Sequence, residues 1–359
     1  MNTLAQLPRD KLKYKFNEHW IDEEITLHVP NQFATITDAL TWLDDKKWPD
    51  SVTVTISVGA GVHTYTSTIN VEHSGKIKII GADPVTTTIS SLGTVTGSAG
   101  NWAMQINVAD STGIEVGDFC IVRNTTGTGN HQNNQGFWEV TVKSSNLLTF
   151  KNTNQNSTYP TTTLTGGNVV KMPTVLKFTA DVDGIYCNSG NIDKCALVNL
   201  AVTATVSSTQ KGVSGIFKTE NVGVINFSHG FSCSGNQKAH LTSSAVSGTL
   251  SRAVYSRSSS NITAAECVVS GNVGNGLLLT EAAVIYTNNT VICGNGGKGI
   301  YNDLHSICVP YTNTWIDDNV GTDIYSRYNS VCSANAVTGS PALSPAANVE
   351  GNYGAWNRV

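Results

Sequence analysis

The sequence predicts an all-β fold: a right-handed parallel β-helix, or three-sided solenoid, with a short N-terminal capping helix and an inserted small β-subdomain. Three observations predict it. Charged residues make up 13% of the chain, while 40% of residues are hydrophobic and Ser, Thr, Asn and Gly fill much of the remainder. Such a chain can bury a core, yet it lacks the Glu, Lys and Arg that coat the solvent faces of helices. A glycine-plus-aliphatic start also recurs, as in "GLLLTEAAVIYTNNTVICGNGGK" from Gly276, followed by "GIYNDLHSICVPYTNTW" from Gly299. Finally, three apolar columns recur within each unit, seven or eight residues apart. That spacing is too long for one helix face, and it suits three short strands per coil, each sending one anchor inward.

Residues 1–30 are read as an N-terminal segment, either an attachment piece or a cap. "MNTLAQLPRDKLKYKF" has no apolar signal-peptide core, so synthesis in a reducing cytoplasm is expected. Residues 31–100 are expected to hold a capping helix and the first coils. Phe33, Ile36, Ala39, Leu40 and Leu43 fall at helical spacing, and "SVTVTISVGAGVHTYTSTINV" then alternates with period two. Between 101 and 175 the coil rhythm is lost, and Gly- and Asn-rich turns separate hairpin-like runs, predicting the inserted subdomain.

The main shaft is expected over 176–335. Units counted from Gly215, Ala253, Gly276, Gly299 and Asp323 start 38, 23, 23 and 24 residues apart. Position 2 holds Ile216, Val254, Leu277, Ile300 and Ile324. Position 10 holds Val224, Ile262, Ile285, Cys308 and Cys332, and position 17 holds Phe231, Val269, Ile292 and Trp315. Asn272, Asn295 and Asp318 share a corner, where Asx side chains can bond along the stack. An earlier coil from Gly184 needs extra residues near Asp193. The 38-residue interval predicts a projecting loop or hairpin over Asn236–Arg252. Residues 336–359 form a tail with two Ser-Pro breaks, expected along or across the last coil. Eight cysteines without CxxC spacing read as buried thiols, and Cys308 and Cys332 as neighbours one coil apart.

Functional candidates gather at positions 5–7. Glu220, Arg257, Glu281, Asp303 with His305, and Arg327 line one expected corner, and coils stack about 4.8 Å apart. Glu281 and Asp303 would then stand roughly 5 Å apart and Glu220 and Glu281 roughly 10 Å, separations that glycoside hydrolysis by retention or inversion uses. Alternatively His305 would act as the base of a β-elimination, with Arg257 or Arg327 neutralising a uronate. The same alternation of charges also describes a solvated ion-pair ladder. Glu266 with His229 is a further acid–base candidate. Trp138, with His131, offers a ring for sugar stacking unless it serves the core of the insert. "DDNVGTD" at Asp317–Asp323 spaces oxygens like a calcium loop but lacks the closing Glu, so no metal is expected, and no cofactor is called for.

A net charge of −4 and a pI near 6.0 supply no basic field for nucleic acid, and no apolar run is long enough to span a membrane. The stretches "FATITDALTWL", "VTVTISVGAGVHTY" and "KIKIIGADP", together with the "GIY/GIF" coils from Gly184 to Asn335, resemble pectin-lyase-like parallel β-helix proteins, and within them bacteriophage tailspikes. The resemblance implies a homotrimeric spike on a virion tail, bound to other tail proteins. It would engage a bacterial surface polysaccharide, capsule or O-antigen, at the host cell and depolymerise it as an endo-glycosidase. A polysaccharide lyase, a non-catalytic adhesin and a structural tail component are the alternatives on the same scaffold.

Overall fold

The computed structural model describes residues 19–157, 163–205, 210–333, 337–338, 343–344 and 355–357. They form the parallel β-helix that the repeat predicts. A nine-stranded parallel sheet makes one side of the shaft, and an 18-stranded sheet wraps the other two.

Three inward ladders carry the core. The first runs through Ile69, Ile185, Val213, Phe231, Val254, Leu277, Ile300 and Ile324. The second includes Phe217, Ala239, Ile262, Ile285, Cys308 and Cys332. The third runs through Leu176, Val202, Val224, Val246, Val269, Ile292 and Ile316. Leu277, Ile285 and Ile292 come from three successive strands of one coil, and each is fully buried. Burying one such side chain contributes roughly 1.5–3 kcal/mol. All eight cysteines are free and buried, and Cys308 pairs in register with Cys332.

The helix α1, Ile36–Leu43, closes the N-terminal end of this core. Thr35 caps it: its hydroxyl accepts from the Asp38 amide at 3.1 Å, while the Asp38 carboxylate accepts from the Thr35 amide at 2.9 Å. Ile36, Ala39, Leu40 and Leu43 face the shaft.

The shaft departs from the expected register in two places. Gly215 does not open a coil; it ends the strand Lys211–Gly215, at φ +105°. Phe231 lies on the first ladder, 18 residues after Val213, and Val224 lies on the third. Residues Asn236–Arg252 therefore make no projecting loop. They supply the strands Lys238–Thr242 and Ala245–Ser247 of an ordinary coil, whose small anchor Ala239 hides its rhythm. In the Gly299 coil an extra residue enters near Asn313, at φ +55°. Ile316, not Trp315, then points inward, and Asn319, not Asp318, joins the asparagine corner.

That corner is a buried ladder. Asn272 donates to Asn295 at 2.8 Å, Asn295 to Asn319 at 2.7 Å and Asn319 to Asp323 at 2.8 Å. The extra residues near Asp193 form a 3-10 turn over Ile192–Lys194. The backbone of the tail continues the coil: Leu343 registers with Ile324, and Ala355 with Val331. Residues 1–18 and the rest of the tail lie outside the described residues.

The insert is a closed six-stranded antiparallel barrel. It opens at Val85, ahead of the expected residue 101, because its first strand, "VTTTISSLGTVTGS", is too hydroxyl-rich to show an apolar alternation. Its last strand ends at Lys171. The barrel docks on the outer face of the third ladder. Ile121, Phe137, Val170 and Met172 pack there against Ala201, Ile225, Ala245, Val268 and Val291. Arg123 reaches Asn221 at 3.0 Å and the Ser243 carbonyl at 3.1 Å, and Ser270 donates to the Gln135 carbonyl at 2.6 Å.

Candidate functional site

The barrel covers the third side; of the two sides left open, the first sheet carries continuous files of charged and aromatic side chains. Its outer surface carries three files parallel to the shaft axis. One runs Lys211, His229, Arg252, Asn275, with Lys298 next, its amide bonded to the Asn275 side chain at 2.8 Å. The middle file runs Tyr186, Ser214, Ser232, Tyr255, Leu278, Tyr301, Tyr325. The third pairs Ser234, Arg257 and Thr280 on the strands and continues with Asp303 and Arg327, the equivalent residues of the next two coils.

Cations lie over the rings of the middle file. The Arg252 guanidinium sits 4.5 Å from the Tyr255 centroid. The Lys298 ammonium is 4.8 Å from both Tyr301 and Tyr325, and Arg327 is 5.1 Å from Tyr301 and 4.7 Å from Tyr328. Such contacts hold the charges in place against apolar carbon. His229 accepts from Arg252 at 2.9 Å and packs 5.4 Å from Tyr255. Burial, with Arg252 and Lys211 nearby, drives its pKa down to about 4, so the imidazole is neutral at pH 7.

The expected single corner of acids divides. Arg257, Asp303 and Arg327 do share a file. Asp303, 8% exposed, is held by Arg327 through two 3.0 Å bonds, Nε to Oδ1 and Nη2 to Oδ2. This bidentate pair occupies the carboxylate that hydrolysis would need as a free acid or nucleophile. Glu281 stands one position further around the turn, exposed, and accepts from Ser258 at 2.5 Å. His305 follows one position later, exposed beside Asn329.

The turn itself displays these side chains. Ser258–Ser259, Glu281–Ala282, Leu304–His305 and Tyr328–Asn329 are consecutive left-handed pairs, with φ from 48° to 63°. Their backbones bond from coil to coil, Ser259 to Glu281, Ala282 to Leu304 and His305 to Tyr328, at 2.8–3.0 Å. These bonds offset the cost of placing non-glycine residues there.

Glu220 is elsewhere. It registers with Val198 and Thr242 on the outer side of the second strands, in a groove with Lys78, Lys218 and His240. The cause is the misplaced Gly215 start, which shifts Glu220 onto the next side of the shaft.

Trp138 is fully buried in the barrel core, so it stacks on no ligand. His131 bonds within the barrel, to Thr125. Glu266 and His229 do not meet. Glu266 accepts from Ser243 at 2.9 Å, between the second and third strands, whereas His229 belongs to the first sheet. Asp318 accepts from the barrel amides of Asn130 and Asn133, and Asp323 serves the asparagine ladder, so the run that resembles a calcium loop has structural partners. Among the described residues, no group of three or more His, Cys, Asp or Glu is placed to hold a metal ion, and no helix is long and apolar enough to cross a membrane.

The tyrosines and His229 were present as "GIY", "AVY" and "SHGF" in the sequence. Their shared face depended on the strand register, and the period-23 spacing of Tyr255, Leu278 and Tyr301 was the signal that could have found it.

No protein-family model and no curated protein matches this chain. Solved structures with some likeness include the Gp54 tailspike of Acinetobacter baumannii bacteriophage AP22 in complex with A. baumannii capsular saccharide. It shows 11% identity and a TM-score of 0.27, over 93% of this chain and 68% of that one. A complex of XylC with xylose shows 9% identity and a TM-score of 0.34, over 88% and 68% of the two chains. A glycoside hydrolase shows 7% and 0.22, over 88% and 94%. Likeness at these scores assigns neither an activity nor a ligand to this chain.

Proposed function

We propose that this protein binds a bacterial surface polysaccharide along the first sheet of its shaft. The observation that carries the reading is the file of tyrosines flanked by guanidinium and ammonium groups. Tyrosine rings offer apolar faces and hydroxyls to sugars, and the files run far enough to engage a polymer rather than a single ring. The proposed setting, a trimeric spike on a virion tail acting at the host surface, rests on the sequence resemblance of the cap and coils. The test is to incubate the full chain with capsule and lipopolysaccharide from candidate hosts and follow both binding and polymer size. Retention that Tyr301→Ala and Tyr325→Ala weaken supports the face; retention unchanged in both variants moves the site elsewhere.

Cleavage is the second reading, and His229 is the observation that favours it. An unprotonated imidazole beside Arg252 places a proton acceptor next to a group that can neutralise a sugar carboxylate, although burial makes that imidazole a weak base. Arg252 would turn to the sugar carboxylate and free the His229 ring nitrogen. That nitrogen would take the proton from the carbon next to the carboxylate, the electron pair would form the carbon–carbon double bond, and the glycosidic C–O bond would break, its oxygen keeping the bond's electrons and taking a proton from water. Ultraviolet-absorbing unsaturated ends that disappear in His229→Gln support it. New reducing ends without that absorbance would favour hydrolysis instead, and an unchanged polymer would leave binding alone.

A further inference from the structure

In one file of the first sheet the cations recur at a fixed interval, and we infer from that interval that the ligand is an acidic polysaccharide carrying its negative group on every second sugar. The inference rests on the glycan reading of this face.

In the file Lys211, His229, Arg252, Asn275, Lys298, the permanently charged residues alternate with uncharged ones, coil by coil. His229 counts as uncharged because it is neutral at pH 7. Coils stack about 4.8 Å apart, so successive cations are about 10 Å apart along the axis. A pyranose in an extended chain advances by about one coil spacing. A polymer lying along the shaft would therefore present every second sugar to a cation. The uncharged rungs, His229 and Asn275, are left to hydrogen-bond the sugars between.

Two further observations support this. Arg252 and Lys298 are held over tyrosine rings, so their positions along the axis are set before a ligand arrives. None of Lys211, Arg252 and Lys298 has an acidic salt-bridge partner among the described residues. Of the acids beside these files, Asp303 is already taken by Arg327, and Asp183, one rung before Lys211, accepts from the Lys211 amide at 2.8 Å. The chain as a whole has 22 Lys and Arg against 26 Asp and Glu, so this local excess of positive charge is a property of the face and not of the composition. Single-stranded nucleic acid also suits cations beside aromatic rings. Its charges fall on every unit, and a chain of net charge −4 does not concentrate phosphate.

The test measures binding of the full chain to hyaluronan, acidic at alternate sugars, to polygalacturonate, acidic at every sugar, to neutral dextran, and to oligothymidylate. Both acidic glycans are also assayed after carboxyl reduction. Hyaluronan is expected to bind best, and carboxyl reduction to weaken it by at least about tenfold, the scale of one charge-assisted hydrogen bond. Arg252→Gln and Lys298→Gln should each weaken native hyaluronan by about tenfold and its reduced form by clearly less. Equal binding of native and reduced polymer would overturn the acidic ligand while leaving the glycan reading intact. Polygalacturonate bound as tightly as hyaluronan would overturn the interval. Oligothymidylate bound more tightly than any glycan, or no glycan bound by folded protein, would overturn both readings.

Discussion

At the residue scale, the Asp303–Arg327 pair and His229 make separable predictions. Asp303 is nearly buried and bonded twice, so it is a structural anion that keeps Arg327 over the tyrosines. Asp303→Asn should cost about 1.5–3 kcal/mol, the range for a hydrogen bond to a charged group. A double-mutant cycle with Arg327→Gln in urea unfolding should recover the coupling. Unchanged stability with cleavage abolished would make Asp303 a catalytic acid after all. His229 adds a pH dependence. Its folded pKa is about 4, against about 6.5 for an unperturbed imidazole. Between those values the unfolded state binds a proton that the folded state refuses. Stability is therefore full above about pH 6.5, declines as pH falls toward about 4, and levels off below it. Melting curves over this window should show that slope reduced in His229→Gln; identical slopes would remove His229 as its source.

At the scale of one element, the asparagine ladder is the feature most exposed to a single change. Asn295 is fully buried, donates to Asn319, and accepts from both the amide and the side chain of Asn272. Asn295→Ala would leave these partners unsatisfied in a dry corner, at about 1–3 kcal/mol for each group stranded. A loss of at least about 2 kcal/mol in denaturant unfolding is expected. A loss below about 0.5 kcal/mol, within the range of ordinary surface substitutions, would mean that water replaces the ladder. The sequence showed this element well, because Asn272 and Asn295 fall one period apart. It misplaced the third rung by one residue, since the extra residue near Asn313 changes the parity of everything up to the next coil.

At the scale of the whole molecule, the barrel and the shaft are two cores joined along one face. Phe137 is wedged over Gly223, where an added Cβ would come within 2.4 Å of its ring. Gly223→Val should therefore lift the barrel without emptying the shaft ladders. Limited proteolysis is expected to cut near residues 81–85 and 171–174, while glycan binding on the first sheet persists. Loss of both barrel and binding in the folded variant would show that the barrel forms part of the site. That outcome has a structural route, because the barrel segment Asn152–Gln155 lies along the corner before the first sheet, where Gln155 donates to Gly294 at 2.8 Å.

The fold class was legible in the sequence because a solenoid writes its core as a period. Leu277, Ile285 and Ile292 are anchors that a linear count could place, and so were the capping helix and the buried thiols. The candidate site was legible only in part. Arg257, Asp303 and Arg327 share one file, as the count placed them, since it allowed for the 24-residue coil between Asp303 and Arg327. Glu220 was assigned to it wrongly, since an 18-residue coil and the strand-ending Gly215 intervene. What the tertiary structure alone decided was partnership: that Arg327 closes on Asp303, that Trp138 turns into a barrel, and that Arg252 and Lys298 lie over tyrosine rings. A period records which residues rise one above another, whereas the partner of a charge depends on side-chain direction, and a single inserted residue reverses it.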